Sequence, residues 1–305
     1  MPVPVSLFNK IDYSTRSNLE TDMPVSKQRA LLITGCSSGI GLCLARGLHA
    51  RNYRVFATAR KAEDVATLAG YGLEALVLDL NSSESIQAAA DEVLRRSQGK
   101  LFALINNGAY GQAGAVEDLS RAALRAQFET NVFGTQELTN RILPAMRAVN
   151  DGRIIQISSL LGIVCLGYRG AYNASKFALE ALSDTMRLEL RGTNIHVSLI
   201  EPGPITSHFR SNAYAAYRAW INRDTSAHRD YYAGVEARLG GEKPLPFTLP
   251  PEAVLAKVVH ALGSRRPRLR YPVTVPAHLF TWLRRLLPTR VLDRIAYAVT
   301  GGGKR

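Results

Sequence analysis

Hydrophobic and polar positions along this chain switch repeatedly between two periods. Short apolar runs occur at Ala30–Ile33, Arg54–Arg60, Leu73–Leu80, Leu101–Ile105, Ile154–Ile157 and Ile195–Ile200. Each has the length of a strand and ends near Gly, Asn, Asp or Pro. Between them lie helical patterns: Leu42, Leu44, Ala45 and Leu48; Ser83 to about Ser97; Ser120 to Val149; the stretch from Gly170 to about Arg191; and Pro251 to Leu262. Leu269-Arg270-Tyr271 adds a seventh, edge strand. Unbroken apolar strands alternating with helices predict an α/β protein, a doubly wound and mostly parallel seven-stranded sheet with helices on both faces.

Three segments depart from that rhythm. Residues 1–26 are polar and unpatterned and read as a loose N-terminal extension, with Met1 and Met23 both candidate starts of translation. They lack the basic start and apolar core of a secretory signal. Residues 207–250 contain no clear strand but carry Tyr214, Tyr217 and Trp220 at a helical spacing of three, followed by Tyr231 and Tyr232. A segment this long between elements is functional or disordered; the expectation is an aromatic lid over a hydrophobic substrate, set against a short helix packed on the body. Residues 276–305 form a basic helical tail, Ala277 to Leu287 being apolar with an arginine patch. The whole of 27–275 is then one domain with the lid inside it.

Composition narrows the class. At 305 residues, 46% hydrophobic and 21% charged, the chain has an ordinary globular balance. The net charge of +13 is concentrated: residues 256–305 hold eleven Lys/Arg against Asp293 alone, so the body is close to neutral. The tail docks on the body, on a partner subunit or on an anionic membrane surface, and docking on protein ranks first. No nucleic-acid module accompanies the basic tail, so a nucleic-acid partner is not expected. Cys36, Cys43 and Cys165 show no metal spacing and cannot all pair, which fits a reducing cytoplasm and no metal site. No run of roughly 18 apolar residues exists to span a membrane.

The chemistry gathers at Tyr172 and Lys176, four residues apart and on one face of a helix. A cation beside a phenol favours the phenolate and makes the tyrosine a usable proton donor and acceptor. Ser159, thirteen residues upstream at the end of an apolar strand, can hold a carbonyl oxygen beside that phenol. Upstream again, Thr34-Gly35-Cys36-Ser37-Ser38-Gly39-Ile40-Gly41 joins the first strand to the first helix, the arrangement that brings a pyrophosphate onto helix amides. Gly35 permits the turn, Gly39 the approach of phosphates, Gly41 close packing of helix and strand. The second strand ends in Ala59-Arg60-Lys61, with no acid where an NAD site places one on the ribose and with a guanidinium for a 2′-phosphate. The expected cofactor is NADP(H). Pro202 and Gly203 fix a rigid turn at the sheet's carboxyl edge, where ligands of such sheets lie.

Taken together, these motifs resemble the short-chain dehydrogenase/reductase family over about residues 28–263. The TGxxxGxG turn matches Thr34 to Gly41, and Asn131, Ser159, Tyr172 and Lys176 match its catalytic tetrad. The resemblance implies the Rossmann fold, adenine contact at Asp79-Leu80, a cofactor role for Asn107, and nicotinamide contact from Pro202, Gly203, Ile205 and Thr206. It also implies that Lys176 binds the nicotinamide ribose, that Asn131 holds a water supplying protons, and that a homodimer or homotetramer packs through the helices bearing Asn131 and Tyr172. One departure is Asn106-Asn107-Gly108-Ala109, whose last two residues are exchanged relative to the family; only a slight change is expected there. Closer in, the chain resembles the bacterial YbbO-like branch, implied to be NADP-dependent aldehyde reductases, which in turn is similar to 17β-hydroxysteroid and retinol dehydrogenases. The expected activity is NADP-dependent reduction of a small hydrophobic aldehyde or ketone with Tyr172 as general acid. The alternatives are a steroid- or retinoid-type alcohol dehydrogenase and, in another class, a non-catalytic NADP(H)-binding sensor or scaffold.

Overall fold

The computed structural model describes residues 28–241 and 245–300; the expected extension at 1–26 lies outside them. In chain order the elements are β1 (Ala30–Ile33), α1 (Gly39–His49), β2 (Arg54–Ala59), α2 (Ala62–Gly70), β3 (Glu74–Val77), α3 (Ser83–Arg96), β4 (Leu101–Asn106), α4 (Arg121–Phe128) and α5 (Thr135–Val149). There follow β5 (Gly152–Ile157), α6 (Gly170–Glu189), β6 (Ile195–Glu201), α7 (Phe209–Trp220), α8 (Arg229–Gly240), α9 (Glu252–Gly263), β7 (Arg270–Pro272), α10 (Val275–Leu286) and α11 (Thr289–Val299).

The seven strands form one sheet in the order β3-β2-β1-β4-β5-β6-β7, every pairing parallel. Alternation along each strand sends side chains to two separate cores. Leu31, Ile33, Val55 and Ile155 face one side and meet Leu44 and Leu48 of α1 and Val254, Val258 and Leu262 of α9. Ala30, Leu32, Phe56, Leu104 and Ile154 face the other and meet Ile86 and Val93 of α3, Leu138 and Ile142 of α5 and Met186 of α6. The strand order reverses between β1 and β4, and the carboxyl ends of the strands at such a reversal are where sheets of this kind bind ligands.

Three regions refine the sequence expectations. The stretch from Ser120 to Val149 is not one regular helix: a π-helical turn, Glu129–Gly134, separates α4 from α5 and contains Asn131. Hydrophobic spacing does not register one extra residue per turn, and such turns concentrate at functional sites. Gly134 is the packing reason for the glycine here, since a Cβ on it would stand 1.8 Å from the Leu80 carbonyl oxygen. The segment from 207 onward folds as α7 and α8, closed at its base by a bridge between Ile205 and Leu249, with Thr206 N–H donating to Leu249 O at 3.0 Å. Its aromatics mostly serve packing: Tyr217 and Tyr232 are buried in a satellite core with Ala115, Leu119 and Ile221, while Trp220 stays exposed. The tail folds back on the body, Ala277 and Phe280 of α10 packing on Leu160 and Val164 just past β5.

Replacing Gly134 with Ala drives a methyl into the Leu80 carbonyl and is expected to lower stability by about 1–3 kcal/mol, read as a lower denaturant midpoint. An unchanged midpoint would show that this approach is not tight.

Candidate active site

The site is assembled at the carboxyl ends of β1, β4 and β5. The turn after β1 is shaped by glycines. Gly35 and Gly39 adopt positive φ of 70° and 54°, which side chains rarely tolerate. A Cβ on Gly41 would stand 2.0 Å from the Gly35 carbonyl oxygen, and one on Gly39 would stand 2.9 Å from the Ser207 Cβ, where the lid begins. Ser38 is the N-cap of α1 and makes no side-chain cap, so the first amides of α1, beside Ser37 and Ile40, remain to meet an anion. Asn107 fastens this turn to β4: its Nδ2 donates to Thr34 O at 2.9 Å and Gly35 O at 3.0 Å. Thr34 Oγ1 in return accepts from the backbone N–H groups of Asn107 and Gly108. The Asn107 amide is thus committed to the turn itself. At the exchanged pair 108–109, a Cβ on Gly108 would meet Leu80 Cδ1 at 3.1 Å and Thr34 Oγ1 at 3.2 Å.

Arg60 follows β2 directly and is exposed, while neighbouring Lys61 is held by Glu63 at 3.1 Å. Asp79 and Leu80 lie past β3, Leu80 buried against Gly108 and the Asp79 carboxylate accepting from the Asn81 amide at 3.0 Å. Across the crevice, Gly203 sits hard against Thr274, whose Oγ1 would be 2.1 Å from an added Cβ. Pro202 beside it accepts the Leu160 N–H at 2.8 Å, and Ile205 and Thr206 make the bridge at the lid base. A glycine-walled cradle, an uncapped helix start and a guanidinium beyond β2 fit a dinucleotide.

The proton-handling groups lie between β5 and α6. Lys176 is buried, and its Nζ donates to the Ile157 carbonyl at the end of β5 at 2.8 Å. Burial pushes its ammonium down to about 8, opposed by the charge of Glu180. Its Nζ lies 5.8 Å from the centroid of the Tyr172 ring one turn earlier. Ser159 opens a short 3₁₀ turn, and its Oγ accepts from the Leu161 amide at 3.1 Å. The Tyr172 phenol is buried and pushed up to about 12, chiefly by desolvation; hydrogen bonding with Ser159 and then the charge of Arg169 oppose the rise. Sequence reasoning expected Lys176 to lower this phenol. Instead Ser159 and Arg169 moderate it, and the phenol stays protonated through neutral pH. Asn131 in the π turn is a fully engaged amide: Nδ2 donates to Tyr110 O at 2.9 Å and Ser175 Oγ at 3.1 Å, and Oδ1 accepts from Tyr110 N. Ser175 in turn donates to the Tyr172 carbonyl at 2.8 Å, so Asn131 steadies the turn of α6 that carries the phenol.

Sequence reading missed several participants. Phe209, first residue of α7, lays its ring 5.2 Å from that of Tyr172, so the segment after β6 meets the site through it and not through Tyr214, Tyr217 or Trp220. Glu180, one turn beyond Lys176, takes the Ser158 hydroxyl and is bridged by Arg270, which also reaches Glu201 at 2.7 Å and Asp184 at 2.6 Å. Burial lifts Glu180 to about 7. The four-residue spacing 172, 176, 180 was the available signal for it. Arg169 and the lid arginines gave no pattern of their own. Among the described residues no cluster of His, Cys, Asp or Glu could hold a metal ion, and no helix is long and apolar enough to cross a membrane.

Comparison with known proteins agrees with this geometry. The family profile described as short chain dehydrogenase matches residues 29–218. The oxidoreductase YbbO of Escherichia coli K12, itself uncharacterized, is 44% identical over 268 residues, covering 88% of this chain and 94% of its own. Human retinol dehydrogenase 8 is 34% identical, over 84% of this chain and 85% of its own. A solved short-chain dehydrogenase/reductase of Burkholderia phymatum in complex with NAD is 25% identical and superposes with a TM-score of 0.72, covering 87% and 94% of the two chains. The chain belongs to the short-chain dehydrogenase family, and it is an oxidoreductase built on that family's NAD(P)-binding Rossmann fold.

The Lys176 values carry a stability prediction. In the unfolded chain a lysine keeps its proton to about 10.5, whereas folded Lys176 releases it near 8. Between these values the unfolded chain binds more protons, so this residue's contribution to stability rises with pH. Urea denaturation of the wild type and of Lys176→Met, compared from pH 8 upward to 10, is expected to shift in favour of the wild type by on the order of 2 kcal/mol. A difference independent of pH contradicts a neutralised Lys176.

Proposed function

We propose that this protein reduces an aldehyde or ketone to an alcohol with NADPH, Tyr172 serving as the general acid. The observation that carries the reading is the state of Tyr172: a buried phenol held protonated, with the Ser159 hydroxyl opposing its rise, one turn before the buried Lys176 and beyond the Gly35–Gly41 turn. A protonated phenol is suited to delivering a proton to a carbonyl oxygen.

The nicotinamide cofactor, when bound, supplies the hydride. The chain's own residues do the rest. The Gly35–Gly41 turn and the first amides of α1 would take the pyrophosphate. Arg60 would take a 2′-phosphate, and no carboxylate occupies the end of β2 to repel one. Asp79 and Leu80 would border the adenine, and Pro202, Gly203, Ile205 and Thr206 the nicotinamide. Ser159 and Tyr172 hydroxyls hold the carbonyl oxygen, and Tyr172 transfers its proton there. Lys176 would hold the nicotinamide ribose and, near its own titration point, can exchange a proton beside Tyr172. Asn131 keeps the Tyr172 turn of α6 in place, and any water-borne proton supply runs beside its π turn. Phe209 and the lid keep water from the reacting carbonyl and favour an apolar substrate.

A second reading, oxidation or reduction of steroid- or retinoid-like lipid alcohols, draws support from the 34% identity to human retinol dehydrogenase 8. A homodimer or homotetramer in the cytoplasm completes the proposal. Support for assembly comes from Phe133 in the π turn and Leu182 and Leu188 on α6, large apolar side chains left 53%, 38% and 64% exposed on the helices expected to pack.

Two measurements test this function. Tyr172→Phe is expected to lower kcat by about 10²–10⁴ while NADPH still binds, as followed by fluorescence titration; near-normal turnover would remove Tyr172 from its role. Arg60→Ala is expected to raise KM for NADPH by about tenfold or more and to leave KM for NADH little changed. Equal effects on both cofactors would remove the 2′-phosphate assignment.

A further inference from the structure

The helix that follows β7 carries apolar side chains on two opposite faces, and the body covers one of them. On the inner face of α10, Ala277 and Phe280 pack on Leu160 and Val164, with Leu283 against the same cluster. Arg284 fastens the helix there: its guanidinium donates to the Ile163 carbonyl and lies 5.1 Å over the Phe177 ring of α6. The outer face is formed by Val275, Leu279, Trp282 and Leu286. Steps of four, three and four residues keep these side chains within an arc of about 60° around the helix, opposite Ala277 and Phe280. Each of the four is more than half exposed. The next helix repeats the arrangement. Leu292 and Ile295 of α11 pack on the inner cluster, while Val291, Tyr297 and Val299 stay exposed.

A contiguous apolar stripe left in water marks a contact surface, and the charge around this one selects what covers it. Residues 275–305 contain six Lys/Arg and, on the acidic side, Asp293 alone. Arg285 lies in the last turn of α10, and Arg290 and Arg294 stand one turn apart on α11; all three are exposed. Among the described residues none of the three forms an ion pair, whereas Arg54, Arg96, Arg141, Arg223 and Arg270 each pair with a carboxylate. A second copy of the chain is a poor occupant, because facing two such tails brings like charges together. The exposed side chains that suit assembly, Phe133, Leu182 and Leu188, lie on other elements. A surface that is anionic outside and apolar just beneath satisfies both features. Trp282 in the middle of the stripe fits such a boundary, where an indole keeps its apolar body in hydrocarbon and its N–H in the polar layer. At 12 residues, α10 is about 18 Å long and does not span a bilayer, so the contact is a helix lying in the interface plane.

We propose that the outer face of α10 docks this protein peripherally on an anionic phospholipid surface. Leu279, Trp282 and Leu286 enter the headgroup boundary, and Arg285, Arg290 and Arg294 meet the lipid phosphates, to which guanidinium forks are matched. Neither part holds the protein alone: the stripe is short, and the attraction of exposed charges is screened by salt. Together they give a reversible contact that depends on lipid charge. The docked helix is the one whose inner face rests on Leu160, the residue after Ser159. The contact therefore sets the candidate site close to the lipid, where apolar carbonyl compounds partition. The docking itself stands without the reductase reading.

The test uses the full chain with vesicles of phosphatidylcholine alone or mixed in equal parts with phosphatidylglycerol. The chain has two tryptophans, so in Trp220→Phe the emission reports on Trp282 alone. The expected result is co-sedimentation with the mixed vesicles, a blue shift of Trp282 emission, and an affinity about tenfold or more above that for phosphatidylcholine. Leu279→Gln combined with Leu286→Gln is expected to weaken that binding by about tenfold or more. Arg290→Gln combined with Arg294→Gln is expected to remove most of the preference for the anionic vesicles. All four side chains are exposed, and circular dichroism with the thermal midpoint checks that each variant keeps its fold. Wild-type protein that stays in the supernatant with both vesicles, a result that needs no variant, overturns the proposal. Equal affinity for the two compositions overturns it too, as does binding that the Leu279 and Leu286 changes leave untouched. A wild type that ignores vesicles, but whose oligomer dissociates in the leucine variant on ultracentrifugation, overturns it in favour of a second copy as the occupant.

Discussion

The hydrogen bond from the Lys176 ammonium to the Ile157 carbonyl sets the geometry on which the site depends. It joins the middle of α6 to the last residue of β5. A second bond repeats the join, since one turn later Glu180 takes the hydroxyl of Ser158. Two side chains spaced by four along one helix face thus meet two consecutive residues at one strand end. The helix cannot slide or roll without breaking both, and the Tyr172 phenol, one turn before Lys176, is placed by this registration.

Burial then decides what the presented groups can do. Tyr172 and Lys176 are both taken out of water, and desolvation moves them in opposite directions: the phenol upward, the ammonium downward. The phenol holds its proton firmly, while the lysine holds its own loosely enough to exchange it. That ordering suits a proton donor with an exchanging group behind it. Ser159 and Arg169 temper the rise of the phenol. Lid and acid are coupled through Phe209, whose ring lies on Tyr172 while the neighbouring Arg210 reaches the end of α8.

Much of this was readable from the chain because it depends on local chemistry at fixed spacing. The strand runs gave the sheet and its two cores, since strands buried on both faces have unbroken apolar sequence. The glycine turn was legible because Gly35, Gly39 and Gly41 answer steric demands that no other residue meets as well. Tyr172, Lys176 and Ser159 were legible because helix period and strand end fix their relation. The π turn at Asn131 was not, since hydrophobic spacing does not register it and the close approach of Gly134 to the Leu80 carbonyl is between distant positions. The lid aromatics were misleading for the same reason: periodicity identified the helix through Tyr217 but not which residue would touch Tyr172, and Phe209 lies at the helix start outside that spacing.

The central claim is that Tyr172 is a protonated acid under working conditions, and the phenol's own titration tests it most directly. Near-ultraviolet difference absorbance of the wild type against Tyr172→Phe, recorded after rapid pH jumps so that the fold persists, isolates that one phenolate. The account predicts that it forms only well above the ordinary tyrosine value of 10.0, towards about 12. A phenolate already formed near neutral pH would contradict it and make Tyr172 a base instead.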